Sequence, residues 1–533
     1  MNNTTKKEYA WMSVLSLIAL FPNILLLFYG NEALPSALST FALSCVLYLL
    51  PVLFLKKRAF FLIQGIFVLL APLEAAHVYL NRMPATTAFL LSIVDTNKEE
   101  SYELLSAIQF PIVILLVFVA FYFLITCVNI KNACLFKSNR IKWAGAIVFV
   151  GMVVTGYWAG YSRNVYPYEL MLRTYQVFAA KREIKTGRKK MKDFKFNAVK
   201  KDPPGEKEVY VFVIGETGRY GSYSVNGYRR NTSPMLAKTK NLVSYTNFHS
   251  EANITTSSLQ MILTRASALE YERSYVEKSF VDAFREAGFK TYWIADQSAN
   301  NKFLRRISGD ADKEYFHVTD VSDTTNFDEQ LWLYLDEVLA RNDPKAFIVI
   351  HTLGSHFRYN YRYPASFEVF KPSLKGAFDY ALISAKNKEM FVNTYDNSIL
   401  YTDFFLAGTI RKIDALQSVS AFVYVADHGE NLFDTEANIV FHGGSEYTPY
   451  DFHVPFFVWT SDKYNIRYPS KMENLKRNKD KRLNTNCIFY SVLDIADLTF
   501  PEQIPARSIV SEALREDSVR YIINTNMEVR CGF

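Results

Sequence analysis

Four stretches early in the chain carry no Asp, Glu, Lys or Arg: Tyr9–Asn31, Ala33–Leu55, Ala107–Ile130 and Trp143–Ser162. Each is about 20 residues or longer, the length a helix needs to cross the hydrocarbon core of a bilayer. A fifth, Ala59–Leu73, is interrupted by Glu74 and extends to about Leu80, which puts Glu74 and His77 near the membrane surface or inside a helix bundle. The first stretch is too long for a cleaved signal peptide and leads straight into the second. Lys6 and Lys7, Lys56 to Arg58, and Lys131 to Lys142 flank alternate ends of these spans, whereas 31–34 and 81–106 are poor in Lys and Arg. The positive-inside rule therefore sets the N-terminus inside and everything after Tyr161 outside, the periplasm in a bacterium with two membranes.

Beyond the spans the pattern changes twice. Lys181–Lys201 holds ten basic and two acidic residues, among them Ile184, Met191, Phe194 and Phe196. It reads either as a solvated linker or as an interfacial segment with its aromatic side on anionic headgroups. Asp202-Pro203-Pro204-Gly205 then breaks any helix. The expected organisation is a transmembrane domain over 1–162, a basic bridge over 163–205 and an extracytoplasmic domain over 206–533. In that last part short apolar runs (209–215, 290–296, 345–351, 420–427 and 454–460) alternate with amphipathic helical patterns at 279–288, 327–341 and 393–413. Gly288 suits the C-cap of the first helix. This alternation predicts an α/β fold with a mostly parallel sheet and helices on both faces, whose ligands bind beyond the carboxyl ends of the strands.

Composition agrees with one membrane part joined to one water-exposed part: apolar residues reach 50% while charged residues still reach 21%. The net charge of +7 is small for 533 residues, and no nucleic-acid motif accompanies it. Of the five cysteines, Cys45, Cys127 and Cys134 fall in spans or the inner loop and only Cys487 and Cys531 on the outer side, where they could form one disulfide, and none forms a Cys-x-x-Cys pair.

The chemistry gathers at the predicted strand ends. Glu216 ends the first strand, Asp427-His428-Gly429-Glu430 follows the fourth, His351 and His356 follow the third, and His442 precedes the last. Alone, a strand-end histidine is ordinarily a satisfied polar residue, Asp-His-Gly is ordinary turn chemistry, and Thr-Thr-Ser-Ser is ordinarily a helix cap. Together, carboxylates and imidazole on one sheet edge suit zinc, with Glu216, Asp427 and His428 as three ligands and a hydroxyl, water or substrate as the fourth. The stretch ITTSSLQMILT (254–264) supplies hydroxyls at a helix start, where backbone N–H groups favour anions such as phosphate. A metal lowers the pKa of a bound hydroxyl and makes it a nucleophile.

With these residues in place, VIGETGRYGSYSVNGYRRNTSPML, HTLGSH, YDNSILYTDFF, ADHGENL and FHGG resemble the phosphoethanolamine transferases of Gram-negative bacteria, members of the alkaline phosphatase and sulfatase superfamily. The resemblance covers nearly the whole chain. It implies five membrane helices in the inner membrane ahead of a periplasmic sulfatase-like α/β/α domain. It implies Zn2+ held by Glu216, Asp427, His428 and a nucleophilic threonine, for which Thr255 fits best and Thr256 stays open. It assigns substrate handling to His356 and His442, and substrate contacts to Gln297 and Lys302 of ADQSANNK and to Thr96 and Glu100 of DTNKEE. The implied reaction moves phosphoethanolamine from phosphatidylethanolamine, through the threonine, to a lipopolysaccharide or other envelope glycan. SEANITTSS lacks the cysteine that many lipid A enzymes carry there, and LQMILT is closer to the core-heptose enzymes. A phosphoglycerol transferase, a sulfatase-like hydrolase and an inactive membrane sensor or scaffold are the rival readings; no Cys-x-Pro-x-Arg or Ser-x-Pro-x-Arg motif supports the sulfatase reaction.

Overall fold

A computed structural model describes residues 3–533 except 30–33, 82–83, 88–89, 91–108, 159–165, 192, 202–204, 297–301, 318–325, 377–381, 437, 445–446 and 526. The chain divides into two compact units, with the break between Ala180 and Lys181.

The first unit is helical: α1 (Asn3–Ala19), α2 (Phe21–Tyr29), α3 (Leu34–Leu49), α4 (Lys57–Asn81), α5 (Gln109–Asn129), α6 (Asn139–Trp158) and the start of α7 (Tyr168–Met191). Among the described residues one helical stretch, Lys57–Ala75, is long and apolar enough to cross a membrane by itself. The first expected span is instead a pair bent by 60° between Ala19 and Phe21, which counts as a second if taken as one broken span. Apolar side chains such as Phe28, Ile66, Val117, Leu124 and Ile147 are exposed on these helices, a surface that lipid rather than water suits. Glu74 and His77 are buried, the interior alternative of the two expected, and Glu74 Oε1 accepts the Ala85 N–H at 3.1 Å.

The second unit is built on a seven-stranded sheet: β1 (Glu208–Gly215), β2 (Leu242–Ser244), β3 (Lys290–Ala295), β4 (Lys313–Phe316), β5 (Lys345–His351), β6 (Val419–Ala426) and β7 (Phe456–Thr460). Their spatial order is β2-β7-β6-β1-β5-β3-β4. From β6 to β4 the strands are parallel, while β7 runs antiparallel to β6 and to β2, so the sheet is mixed. All eight residues of β1 are buried because both faces are covered, as the apolar run 209–215 requires, and the leading Glu208 is paired with Lys200 at 2.9 Å. Phe212 and Ile214 join one core with Phe280, Phe284 and Phe347; Val211 and Val213 join the other with Tyr395 and Leu406.

The helices that cover these faces include α8 (Thr255–Leu263), α9 (Phe280–Glu286), α10 (Leu331–Ala340), α11 (Lys388–Asp414) and α12 (Ile488–Ile495). Gly288 ends α9 as expected: at φ +81° it lets its own N–H reach Arg285 O and the Phe289 N–H reach Phe284 O, both at 3.0 Å. The basic stretch after Ala180 is helical to Met191, and Phe196 is then buried in this domain against Phe489, with ring centroids 5.2 Å apart. That aromatic side is domain core, which removes Phe196 from the interfacial alternative. Cys487 is buried, Cys531 is exposed, and neither is in a disulfide.

Candidate metal centre

Strand register brings the acidic groups together. Gly215 of β1 lies opposite Ala426 of β6, so Glu216 and Asp427 leave adjacent parallel strands at the same level. The Asp427 N–H donates to Gly215 O at 3.0 Å and fixes that level. A Cβ on Gly215 would sit 2.4 Å from the hydroxyl of buried Tyr424, so any larger residue there would have to displace that ring. Thr217 follows in the left-handed region at φ +57°, a strained conformation for a β-branched residue and one that functional sites retain.

Asp427 uses one oxygen structurally: Oδ1 accepts from Thr217 N at 3.0 Å and His428 N at 2.8 Å. Its other oxygen, Oδ2, is buried without a hydrogen-bond partner and lies 3.2 Å from His428 Nε2. His428 Nε2 is also 3.5 Å from Glu216 Oε1. The His428 Nδ1 is 2.9 Å from Gly429 O, which directs Nε2 to the cluster. Ligand atoms of Glu216, Asp427 and His428 lie within 4.8 Å of one another, and all three residues are buried.

The fourth group comes from α8. Ser250 Oγ donates to Asp427 O at 2.6 Å and pins the loop that leads into this helix. The N-cap position is Ile254, whose side chain cannot cap, so the Thr-Thr-Ser-Ser run is not a cap but the first turn itself. Thr255 Oγ1 lies 3.4 and 3.3 Å from the two Glu216 oxygens and 3.2 Å from His428 Nε2. No such contact is made by the Thr256 hydroxyl among the described residues. The first N–H groups of a helix have no partner within it and favour anions.

The electrostatics call for a cation. Burial first, and then repulsion from Asp427, push Glu216 well above the usual carboxylate range. Burial holds His428 down at about 4 although Asp427 attracts its charged form. Two buried carboxylates and a neutral imidazole are costly unless a positive charge joins them. An oxygen and nitrogen donor set with one unpartnered carboxylate oxygen fits zinc.

Next to the cluster, the His442 ring packs on His428 with centroids 3.9 Å apart, and its Nδ1 lies 3.2 Å from Glu430 Oε1. Burial disfavours the charged ring, but Glu430, then Glu216 and Asp427, outweigh it and raise His442 to about 9. His356 is exposed at the cluster's edge, close enough for its charged form to repel those of His442 and His428. His351 is not in the cluster: it is buried edge-on to Trp293 at 6.3 Å, neither ring nitrogen has a hydrogen-bond partner, and burial holds it at about 4. Thr96, Glu100 and Gln297 lie outside the described residues, as does the side chain of Lys302, although its backbone opens a helix over Lys302–Ser308.

Two supporting carboxylates escaped the sequence reading. Glu430 Oε2 accepts the Tyr359 hydroxyl at 2.7 Å while Oε1 faces His442. Asp328 accepts from Leu353 N at 2.8 Å and Gly354 N at 3.0 Å, and the next N–H, of Ser355, donates to Glu216 O at 3.0 Å. Asp328 thus braces the loop that holds Glu216; burial and then neighbouring Asp296 raise it to about 7. A signal existed for Glu430, which stands in the Asp-His-Gly-Glu run itself.

The sulfatase family profile matches residues 208–498. Phosphoethanolamine transferase EptC of Escherichia coli K12 is 31% identical over 337 residues, 61% of this chain and 57% of the relative. Kdo(2)-lipid A phosphoethanolamine 7''-transferase of the same strain is 32% identical over 297 residues, 51% of this chain and 48% of the relative. The match thus spans about half the length of these curated relatives. Among solved structures, the zinc complex of the C-terminal periplasmic domain of EptC from Escherichia coli is 28% identical, with a TM-score of 0.55 over 62% of this chain and 92% of that one. The integral membrane lipooligosaccharide phosphoethanolamine transferase A of Neisseria meningitidis covers 94% of this chain and 98% of its own, with a TM-score of 0.74 at 20% identity, a likeness of fold.

Proposed function

Because the chain belongs to the sulfatase family, we propose that it uses this centre to move phosphoethanolamine from phosphatidylethanolamine to an envelope glycolipid such as lipopolysaccharide core or lipid A. The observation that carries the proposal is a threonine hydroxyl at a helix start, 3.2–3.4 Å from Glu216 and His428, beside the unpartnered oxygen of Asp427. The names of the relatives supply the transferred group and the class of acceptor.

Glu216, Asp427, His428 and Thr255 would hold zinc. Bound there, zinc supplies positive charge that favours the threonine alkoxide and offsets charge on the phosphoryl oxygens. Thr255 Oγ1 attacks the donor phosphorus; the new Oγ–P bond forms as the bond to the diacylglycerol oxygen breaks. Glu216 Oε2, 3.3 Å from the hydroxyl, receives its proton, which leaves Oε1, on the side of His428, as the oxygen that would hold the metal. His442, kept charged by Glu430, gives a proton to the departing oxygen from Nε2, its ring nitrogen not facing Glu430. In the second step an acceptor oxygen attacks the same phosphorus, His442 takes its proton, and Thr255 leaves as alkoxide and is reprotonated. The N–H groups of the first turn of α8 stabilise the phosphoryl oxygens in both steps. A helical, apolar first unit suits an enzyme whose donor is a bilayer lipid, with the catalytic unit on the periplasmic side of the inner membrane.

Liposomes of phosphatidylethanolamine or of phosphatidylglycerol, each with the purified full chain, test the donor. Diacylglycerol release from phosphatidylethanolamine alone is expected. Release only from phosphatidylglycerol makes the protein a phosphoglycerol transferase, and release from neither, with no bound zinc, makes it a scaffold.

A further inference from the structure

The tip of β1 carries a hydroxyl to which the proposed reaction gives no part. Thr217 follows Glu216 directly, is fully buried, and holds the left-handed backbone at φ +57°. All its polar groups are engaged. The hydroxyl donates to Glu216 Oε1 at 2.7 Å, and the N–H donates to Asp427 Oδ1 at 3.0 Å. The carbonyl accepts the hydroxyl of buried Tyr395, on α11, at 2.6 Å. The same Tyr395 oxygen accepts the Arg219 N–H at 2.9 Å, so one tyrosine clamps the chain on both sides of Gly218.

These contacts decide which carboxylate oxygens stay open. The backbone of Glu216 is already held: the Ser355 N–H donates to its carbonyl at 3.0 Å, and a Cβ on Gly354 would sit 2.8 Å from that oxygen and 3.0 Å from the Glu216 nitrogen. Rotation of the carboxylate about its terminal bond is left, a torsion with only broad preferences. The Thr217 hydroxyl restrains it. Oε1 is kept on the side of His428, at 3.5 Å from Nε2, and Oε2 is turned to the Thr255 hydroxyl at 3.3 Å. On Asp427 the N–H groups of Thr217 and His428 take Oδ1 and leave Oδ2 unpartnered.

The residue type carries a further point. A left-handed backbone is unfavourable for a β-branched side chain, whereas glycine adopts it freely. A threonine here is explained by its hydroxyl. The geometry points to Thr217 as the positioning residue of the metal centre: it aims Glu216 Oε1 and Asp427 Oδ2 at the metal and Glu216 Oε2 at the nucleophile, so that one residue orients both carboxylates. This rests on the metal reading of the cluster and not on which group is transferred.

The zinc affinity of the purified full chain, from competition with a chromophoric chelator, and the Tm of the metal-free protein are compared in three variants. Thr217→Val keeps the branched shape and loses the hydroxyl. Thr217→Gly loses it too but suits the backbone. Thr217→Ser keeps it. The valine and glycine variants should each raise the zinc Kd by about 10–100-fold, the effect of removing a hydrogen-bond partner of a metal ligand, and the serine variant should bind zinc like the wild type. Thr217→Gly should be the more stable of the two hydroxyl-free proteins without metal, yet bind zinc no better than Thr217→Val, a separation that a merely structural residue would not produce. If Thr217→Val fails to fold, the glycine and serine variants carry the comparison. Wild-type zinc affinity in a folded hydroxyl-free variant overturns the proposal. So does a loss in Thr217→Ser equal to theirs, which would assign the effect to packing. A wild-type chain that takes up no zinc would instead reject the metal reading itself.

Discussion

Gly429 separates His428 from Glu430, and its replacement by alanine is the sharpest single perturbation of the metal centre. A Cβ there would lie 1.9 Å from the Tyr450 carbonyl oxygen and 3.0 Å from its carbon. Both neighbours are backbone, so no side chain can swing away. Reaching the 3.0 Å below which Cβ contacts essentially never occur requires a displacement of about 1.1 Å. If the two segments share it equally, His428 moves by about 0.5 Å, more than twice the ~0.2 Å tolerance of metal–ligand distances. Two backbone bonds resist the movement, Gly429 N to Asp451 O at 2.7 Å and Glu430 N to Tyr450 O at 3.1 Å. Misplacing a ligand on this scale costs about 10–100-fold in affinity, up to ~2.7 kcal/mol. Competition between the purified full chain and a chromophoric zinc chelator measures it. Gly221→Ala is the control, because its Cβ would meet nothing within 4 Å. Wild-type zinc affinity in Gly429→Ala would refute the reasoning that places His428 in the ligand set.

Glu430→Gln removes the largest influence that raises His442 to about 9. The alkaline limb of the pH–rate profile should move to lower pH by about one unit or more, and a limb that stays in place would remove His442 as the proton donor. The raised pKa also means that His442 favours the folded state below its ordinary value of 6.5, a contribution lost as pH climbs through about 9; this should vanish from the Tm–pH curve of the variant. Glu216 behaves alike in sign: burial raises it, so the metal-free protein loses stability as pH rises through its shifted pKa. Zinc should therefore raise Tm more at pH 8 than at pH 5.5, and an equal rise at both would show that the buried carboxylates do not hold it.

The central strands and their chemistry were legible because they obey local rules. β1, β5 and β6 each carry an apolar run of five or more residues that leads into polar residues, and parallel pairing carries those ends to one edge. β2 and β4 were missed since three or four residues at a sheet edge give no periodicity. The direction of β7 depends on the sheet order rather than on its own residues, so a parallel pattern was the natural expectation. Asp328 could not be assigned, because its partners are backbone N–H groups of a loop reached only through the fold. His351 ends a strand as His428 nearly does, yet its side chain turns into the core beside Trp293; which face a strand-end residue takes is set by register. The basic stretch misled in part, for Phe196 finds its apolar partners hundreds of residues away.

The nucleophile itself is the most direct test. The purified full chain is incubated with phosphatidylethanolamine, and the peptide containing Thr255 and Thr256 is weighed and fragmented by mass spectrometry. The account predicts one added phosphoethanolamine on Thr255, absent after chelation and absent in Thr255→Ala. An adduct on Thr256, an adduct that persists without metal, or none at all would contradict it.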